Sequence, residues 1–140
     1  MWAWYLRGLA SHPLLTRALT SAALAGSADV LAQAVERARA AGPAPAYAPR
    51  RTARLAAWAL ASTPVIALWF GALALLPSPW LRVAADQAVF APRSLAAFCW
   101  LCAVLDGADL GSPTLAKFSG LLVANWTVWP LFQLVNFSFV

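Results

Sequence analysis

Long apolar runs alternate with short polar stretches along the whole chain. The first run, 14–35, reads LLTRALTSAALAGSADVLAQAV and carries Arg17 near one end and Asp29 deeper in. As a helix it is about 33 Å long, enough to cross a bilayer. Alanine and glycine dominate it. Ser21 with Ala25, then Ala22 with Gly26, repeat the small-xxx-small spacing that lets two helices approach closely, which predicts a packed helix rather than a lipid-facing one. The second run, 55–76, has no charge and is the clearest span, with Pro64 near its middle. Membrane helices tolerate such a proline where neighbours satisfy the carbonyl it frees. A third run, 83–105, follows the short turn PSPWLR, and a fourth, 119–140, is again free of charge.

Polar connections complete the pattern. Trp2, Tyr5, Leu6 and Leu9 follow helical spacing ahead of Pro13, which predicts a short interfacial helix at the amino end. Between the first two runs, 36–54 reads ERARAAGPAPAYAPRRTAR, where Gly42, Pro43, Pro45 and Pro49 interrupt a helix and the charges demand water. This is a basic linker. The predicted fold is all-α, a polytopic transmembrane helical bundle of about four spans with a short N-terminal interfacial helix, in a single membrane domain over 1–140. The amino end lacks the short basic start, apolar core and small-residue cleavage site of a secretory signal, so it is expected to be retained.

Composition agrees. Hydrophobic residues make up 62% of the 140 and charged ones 11%, against about 25% charged in soluble domains, and mean hydropathy is +0.69. A chain this short cannot hide so much apolar surface in an aqueous core, so the lipid bilayer is its expected partner. Among the eight tryptophans, Trp2, Trp4, Trp80 and Trp126 are candidates for an interfacial belt. The net charge of +5 does not point to nucleic acid, because five of the nine arginines crowd into 37–54 between apolar runs. There they serve topology and anionic lipid, and no nucleic-acid-binding signature accompanies them.

The polar residues inside the apolar runs are the candidates for function. Asp29 and Gln33 are four residues apart on one helix face, so both can address one cavity, or hold two helices together. Asp86 and Arg93 are seven apart, about 10 Å along a helix axis. Either they pair, directly or through water, or each snorkels toward a helix end. In the last run Asn125, Trp129, Phe132 and Asn136 fall on one stripe with Gln133 beside it. An amide facing lipid loses its partners, so this stripe should face helices or a wet cavity. Pro130 frees the carbonyl of Trp126, which a nearby amide or water is expected to satisfy.

Catalytic chemistry is not assembled. Cys99 and Cys102 form C-W-L-C without the further ligands that zinc needs or the strand context of a redox motif, so buried thiols are expected and no metal. His12 precedes Pro13 at the expected membrane boundary, and Asp106 and Asp109 fall beside Gly107 and Gly111 in a turn. No hydrolase, zinc-protease or phosphate-loop pattern occurs, and the expectation is a non-enzyme without cofactor.

W-P-x-x-Q-x-x-N-F is present as Trp129, Pro130, Gln133, Asn136 and Phe137. It resembles the family of the mitochondrial inner-membrane protein Mpv-seventeen and the twenty-two-kilodalton peroxisomal membrane protein. The opening stretch is similar to that family's through Tyr5, Leu9, Pro13, Thr16, Thr20, Asp29 and Gln33, and the middle through Asp86 and Gln87 followed by Pro92. Departures accompany the matches. The family's G-D is Ala28-Asp29, and in its G-P-x-x-H-x-W-Y only Pro64 and Trp69 persist, with Ala67 and Phe70 at the histidine and tyrosine positions. The family continues past N-F-x-x-V-P into further helix whereas this chain stops at Val140, so a truncated copy or a partial gene model is the expectation. The resemblance implies about four crossings in a mitochondrial inner or, second, a peroxisomal membrane, and a pore for small polar metabolites or its regulator, with a homo-oligomer as a further expectation. A non-conducting scaffold or an inactive truncated member is the alternative.

Overall fold

The computed structural model describes residues 2–108 and 110–139, the side chains of Trp2, Ser112 and Pro113 excepted, and among these there is no strand. The helices are α1 (Trp2–Ser11), α2 (Pro13–Ala38), α3 (Pro49–Leu73), α4 (Pro79–Ala85), a π-helical turn (Asp86–Phe90), α5 (Ala91–Asp106) and α6 (Ser112–Phe139). Four stretches are long and apolar enough to cross a membrane: Pro13–Ala38, Pro49–Leu73, Pro79–Asp106 and Thr114–Phe139. The protein is therefore all-α, with four candidate spans and a short helix before them. Two compact units divide the chain, 1–68 and 69–140.

Prolines set the helix starts. A proline at the first helical position loses no hydrogen bond and has its φ already suited to the helix. Pro13, Pro49 and Pro79 open α2, α3 and α4 in this way. Consequently α3 begins six residues ahead of 55, and Arg50, Arg51 and Arg54 belong to its first turns rather than to a linker. The connection shortens to 39–48. Likewise Pro79, Trp80, Leu81 and Arg82 of the expected turn PSPWLR are helix. α5 stops at Gly107, whose φ of 62° is the left-handed conformation that glycine adopts without strain.

Within unit 1, α1 and α2 are joined by a kink. His12 breaks the helix at φ −139°, ψ 65°, yet its N–H still donates to Gly8 O at 2.8 Å and its carbonyl accepts from Thr16 N–H at 2.9 Å. The bend brings Gly8 so close to α2 that a Cβ there would sit 3.0 Å from Thr16 Oγ1. The small face of α2 meets α3, since a Cβ on Gly26 would lie 3.8 Å from both Ala56 and Thr52. α2 is not packed on all sides, however: Leu14, Leu15, Leu24 and Leu31 are exposed and form a lipid-compatible outer face. Within unit 2, α4 and α5 pack on α6, and Phe70 meets Phe137 edge to face at 5.7 Å.

Burial runs opposite to that of a water-soluble domain. The buried set holds Asp29, Gln33, Thr63, Asp86, Gln87, Thr114 and Gln133 beside Leu73, Val83 and a few small residues, while large side chains such as Leu68, Leu131 and Phe139 are exposed. Hydrocarbon reverses the driving force, so the polar groups collect inside and the leucines coat the surface. Trp4 and Trp80 point outward, as belt residues would.

Hydrogen exchange on the detergent-solubilised protein tests the early start of α3. The amides of Ala53 and Arg54 should be protected and those of Ala41, Gly42, Ala44 and Ala46 should exchange at once. Fast exchange running through Arg54 would return these residues to a linker.

Candidate functional site

Each unit gathers its polar side chains around one buried carboxylate. In unit 1 this is Asp29, on the face of α2 that meets the start of α3. Its Oδ2 accepts from Gln33 Nε2 at 2.7 Å and from Thr52 Oγ1 at 2.6 Å, and Tyr47 donates to Thr52 Oγ1 at 3.0 Å. Arg51 Nε lies 2.7 Å from Asp29 Oδ1, close enough for an ion pair although misaligned for a hydrogen bond. The same guanidinium grips Glu36 with two bonds of 2.9 Å, the paired-fork geometry that arginine and carboxylate favour.

Gln33 has a second task. Ala48 N–H donates to Gln33 Oε1 at 2.8 Å, and Gln33 Nε2 reaches Ala48 O at 3.3 Å. One side-chain amide thus pairs with both backbone groups of Ala48, the residue just before Pro49. This satisfies Ala48 N–H, which intrahelical bonding cannot reach, and adds to the bonds that Ala48 O already accepts from Arg51 N–H and Thr52 N–H.

Unit 2 builds a different cluster. Asp86 Oδ1 accepts from Trp69 Nε1 at 2.9 Å, and Oδ2 accepts from Gln87 Nε2 at 3.0 Å and Gln133 Nε2 at 3.2 Å. Gln87 Oε1 in turn accepts from Asn125 Nδ2 at 2.9 Å. Asp86 and Gln87 are 2% and 9% exposed. Trp69 also stacks on Phe90, with centroids 5.5 Å apart and planes 14° from parallel. All three donors to the carboxylate are neutral. The arginines of this unit are engaged with backbone instead, Arg82 with Leu76 O and Ala74 O, and Arg93 with Val89 O.

Pro92 explains the local geometry. Ala91 N–H donates to Asp86 O, one residue wider than the α pattern, and the carbonyl of Gln87 would then look to residue 92, which has no N–H. Trp126 Nε1 supplies the missing donor at 3.1 Å. The widened turn also lets two consecutive side chains, Asp86 and Gln87, both point inward.

Several expectations need correction. Arg93 does not pair with Asp86; it is exposed and bonded to its own helix, the snorkelling alternative. Inward-facing polar positions on α6 are Asn125 and Gln133, whereas Trp129 and Phe132 are exposed and touch each other at 6.2 Å. Asn136 is half-buried outside the hydrogen-bonded cluster. The α6 amides bond to Asp86 and Gln87, not to the carbonyl that Pro130 frees. Trp126 sits midway along α6 and joins the cluster through its indole, so it is not a belt residue. The side chain of Trp2 and the whole of Asp109 and Val140 lie outside the described residues.

Other sequence candidates occupy supporting positions. Thr16 faces Gly8, Thr20 donates to Thr16 O at 2.8 Å, and Pro64 follows Thr63, whose hydroxyl donates to Ala59 O. Phe137 packs on Phe70. Cys99 is buried and Cys102 half-buried, both free thiols, and His12 is exposed at the kink. Among the described residues no group of three His, Cys, Asp or Glu side chains is placed to hold a metal ion. Sequence reasoning missed Tyr47, Ala48, Arg51 and Thr52. The usable signal was charge: Arg51 and Glu36 are oppositely charged groups flanking a proline-rich connection that Asp29 closely precedes.

Residues 114–140 match the model of the Mpv17 / PMP22 family. The whole chain is similar to protein sym1 of Aspergillus oryzae, 38% identical over 148 residues that cover 100% of this chain and 84% of that protein. It is also similar to PXMP2/4 family protein 3 of Dictyostelium discoideum, 35% identical over 98% of this chain and 76% of the relative. With the mitochondrial inner membrane protein Mpv17 of Bos taurus it shares 31% identity over 100% of this chain and 84% of the relative. No solved structure matches.

Two substitutions test the clusters. Gln33→Leu should cost about 1–3 kcal/mol in thermal or denaturant unfolding in detergent, because Ala48 N–H and Asp29 both lose a partner; unchanged stability would refute the bridging role. Trp126→Phe should cost about 1 kcal/mol in the wild type and less in Pro92→Ala, where the restored N–H relieves the helix of its orphan carbonyl. Equal costs in both backgrounds would contradict that origin of the bond.

Proposed function

The chain belongs to the Mpv17/PMP22 family and, with its Sym1 and Mpv17 relatives, is a mitochondrial inner-membrane protein, and we propose that it forms or regulates a pore there for small polar metabolites. The observation that carries this reading is Asp86, a buried carboxylate on a membrane-spanning helix held by neutral donors alone. An ionisable group at such a depth is expensive unless something hydrates or neutralises it, and in membrane proteins it commonly marks a path for ions or polar solutes. Gln87, Asn125 and Gln133 surround it with amides that can trade one hydrogen bond for another as a solute passes. On this reading Asp86 supplies the charge that favours cationic over anionic species, and the protein acts without catalysing a reaction.

A second reading, a non-conducting scaffold, is favoured by Asp29 and Gln33. Their groups are already occupied by Arg51, Thr52 and a backbone peptide, which suits fastening helices better than meeting a solute. The two readings separate in one assay. Purified protein in liposomes should raise the flux of small polar solutes, and Asp86→Asn should lower the flux of a monovalent cation relative to a neutral solute by about fivefold, the effect of one unit charge at close range in water. Asn125→Leu, which removes an amide of the cluster, should alter the rate without blocking insertion. Folded wild-type protein that passes no solute would contradict the pore reading.

A further inference from the structure

The kink at His12 leaves a groove between α1 and α2 with a volume of about 470 Å³, lined among others by Trp4, Gly8, Leu19, Ala23, Leu24 and Ser27. Its wall is apolar, and the hydroxyl of Thr20, also in the lining, is turned to backbone. Along α2 the lining runs from Thr16 to Ser27, a rise of about 16 Å. That is about half of the roughly 30 Å hydrocarbon core, the depth of one leaflet.

Charge identifies the occupant. Gly8 and Thr16 approach closely, since a Cβ on Gly8 would lie 3.0 Å from Thr16 Oγ1, and the residues adjacent to them in sequence, Arg7 and Arg17, are both exposed. No acidic residue precedes Asp29, and Asp29 itself is held by Arg51. Neither Arg7 nor Arg17 forms an ion pair among the described residues. Two cations without a carboxylate therefore adjoin Gly8 and Thr16 of the lining, at the amino end of α2 and of an apolar slot about one leaflet long. A neutral lipid or a helix from a second copy would fill the slot but leave both charges unanswered.

We propose that this groove is a binding site for an anionic phospholipid, with one acyl chain lying against α2 and the phosphate held by Arg7 and Arg17. The second acyl chain stays in the surrounding leaflet. The site belongs to unit 1 alone and does not depend on whether the protein conducts.

Native mass spectrometry of the full chain, released from detergent in an equimolar mixture of phosphatidylglycerol and phosphatidylcholine with the same acyl chains, tests it. The first bound lipid should be phosphatidylglycerol by on the order of tenfold, since each basic side chain near a lipid surface contributes a several-fold attraction. Arg7→Gln with Arg17→Gln should bring that ratio near unity, and Arg7→Lys with Arg17→Lys should keep most of it. Ala23→Trp, which fills the groove, should lower retention of both lipids while the helical circular dichroism is unchanged. Equal retention of the two lipids by the wild type, a preference that survives the glutamine pair, or a dimer that excludes lipid would each overturn the assignment.

Discussion

Hydrocarbon offers a polar side chain no partner, and an unsatisfied donor or acceptor there costs several kcal/mol. Every amide and carboxylate on a spanning helix must therefore find its complement in the protein or in trapped water. In unit 2 this requirement converges on Asp86. Its oxygens draw in Trp69 from the end of α3 and Gln133 from α6, while its neighbour Gln87 accepts Asn125 through its side chain and Trp126 through its backbone. Segments far apart in sequence are thereby fixed by one carboxylate. The apolar side chains, interchangeable between lipid and protein, could not have chosen that arrangement on their own.

The two clusters solve the same problem by different chemistry. Asp29 has an arginine beside it and amide and hydroxyl donors around it, and the ion pair continues out to Glu36, which is exposed. The charges are answered locally and the amide of Gln33 closes the entrance to α3. Asp86 is surrounded by neutral donors without a countercharge. This asymmetry is why the proposed solute path is argued from Asp86 and the scaffold reading from Asp29. The apolar groove of unit 1 adds a third kind of contact, in which the protein's free charges lie at its edge and the matching charge comes from the membrane.

Helix type and number were legible because apolar runs about 20 residues long or more have few alternatives at this composition. So was the inward placement of Asp29, Gln33, Asp86, Gln87 and Gln133, since burying a polar side chain away from lipid follows from transfer energies alone. Helix boundaries were less legible. Pro49 and Pro79 were expected to interrupt structure, yet proline is as suited to opening a helix as to breaking one, and only the partners of the preceding residue decide which occurs. The π-helical turn was hidden altogether, because it depends on Pro92 and on a tryptophan arriving from α6. The partners of Asp29 sit in a stretch without periodicity, and the stripe through Trp129 was misplaced because the amides of α6, rather than its aromatics, set which face turns inward.

The account stands on the claim that Asp86 couples groups that do not touch one another. A double-mutant cycle between Trp69→Phe and Gln133→Leu, read from unfolding free energies in detergent, measures that coupling directly. Because each donor strengthens or weakens the same carboxylate, a coupling of about 0.5 kcal/mol or more is predicted in the wild-type background. It should vanish when Asp86 is replaced by leucine. Additive losses in the presence of Asp86 would show that the two side chains act independently, and the carboxylate would then not be the element that holds this unit together.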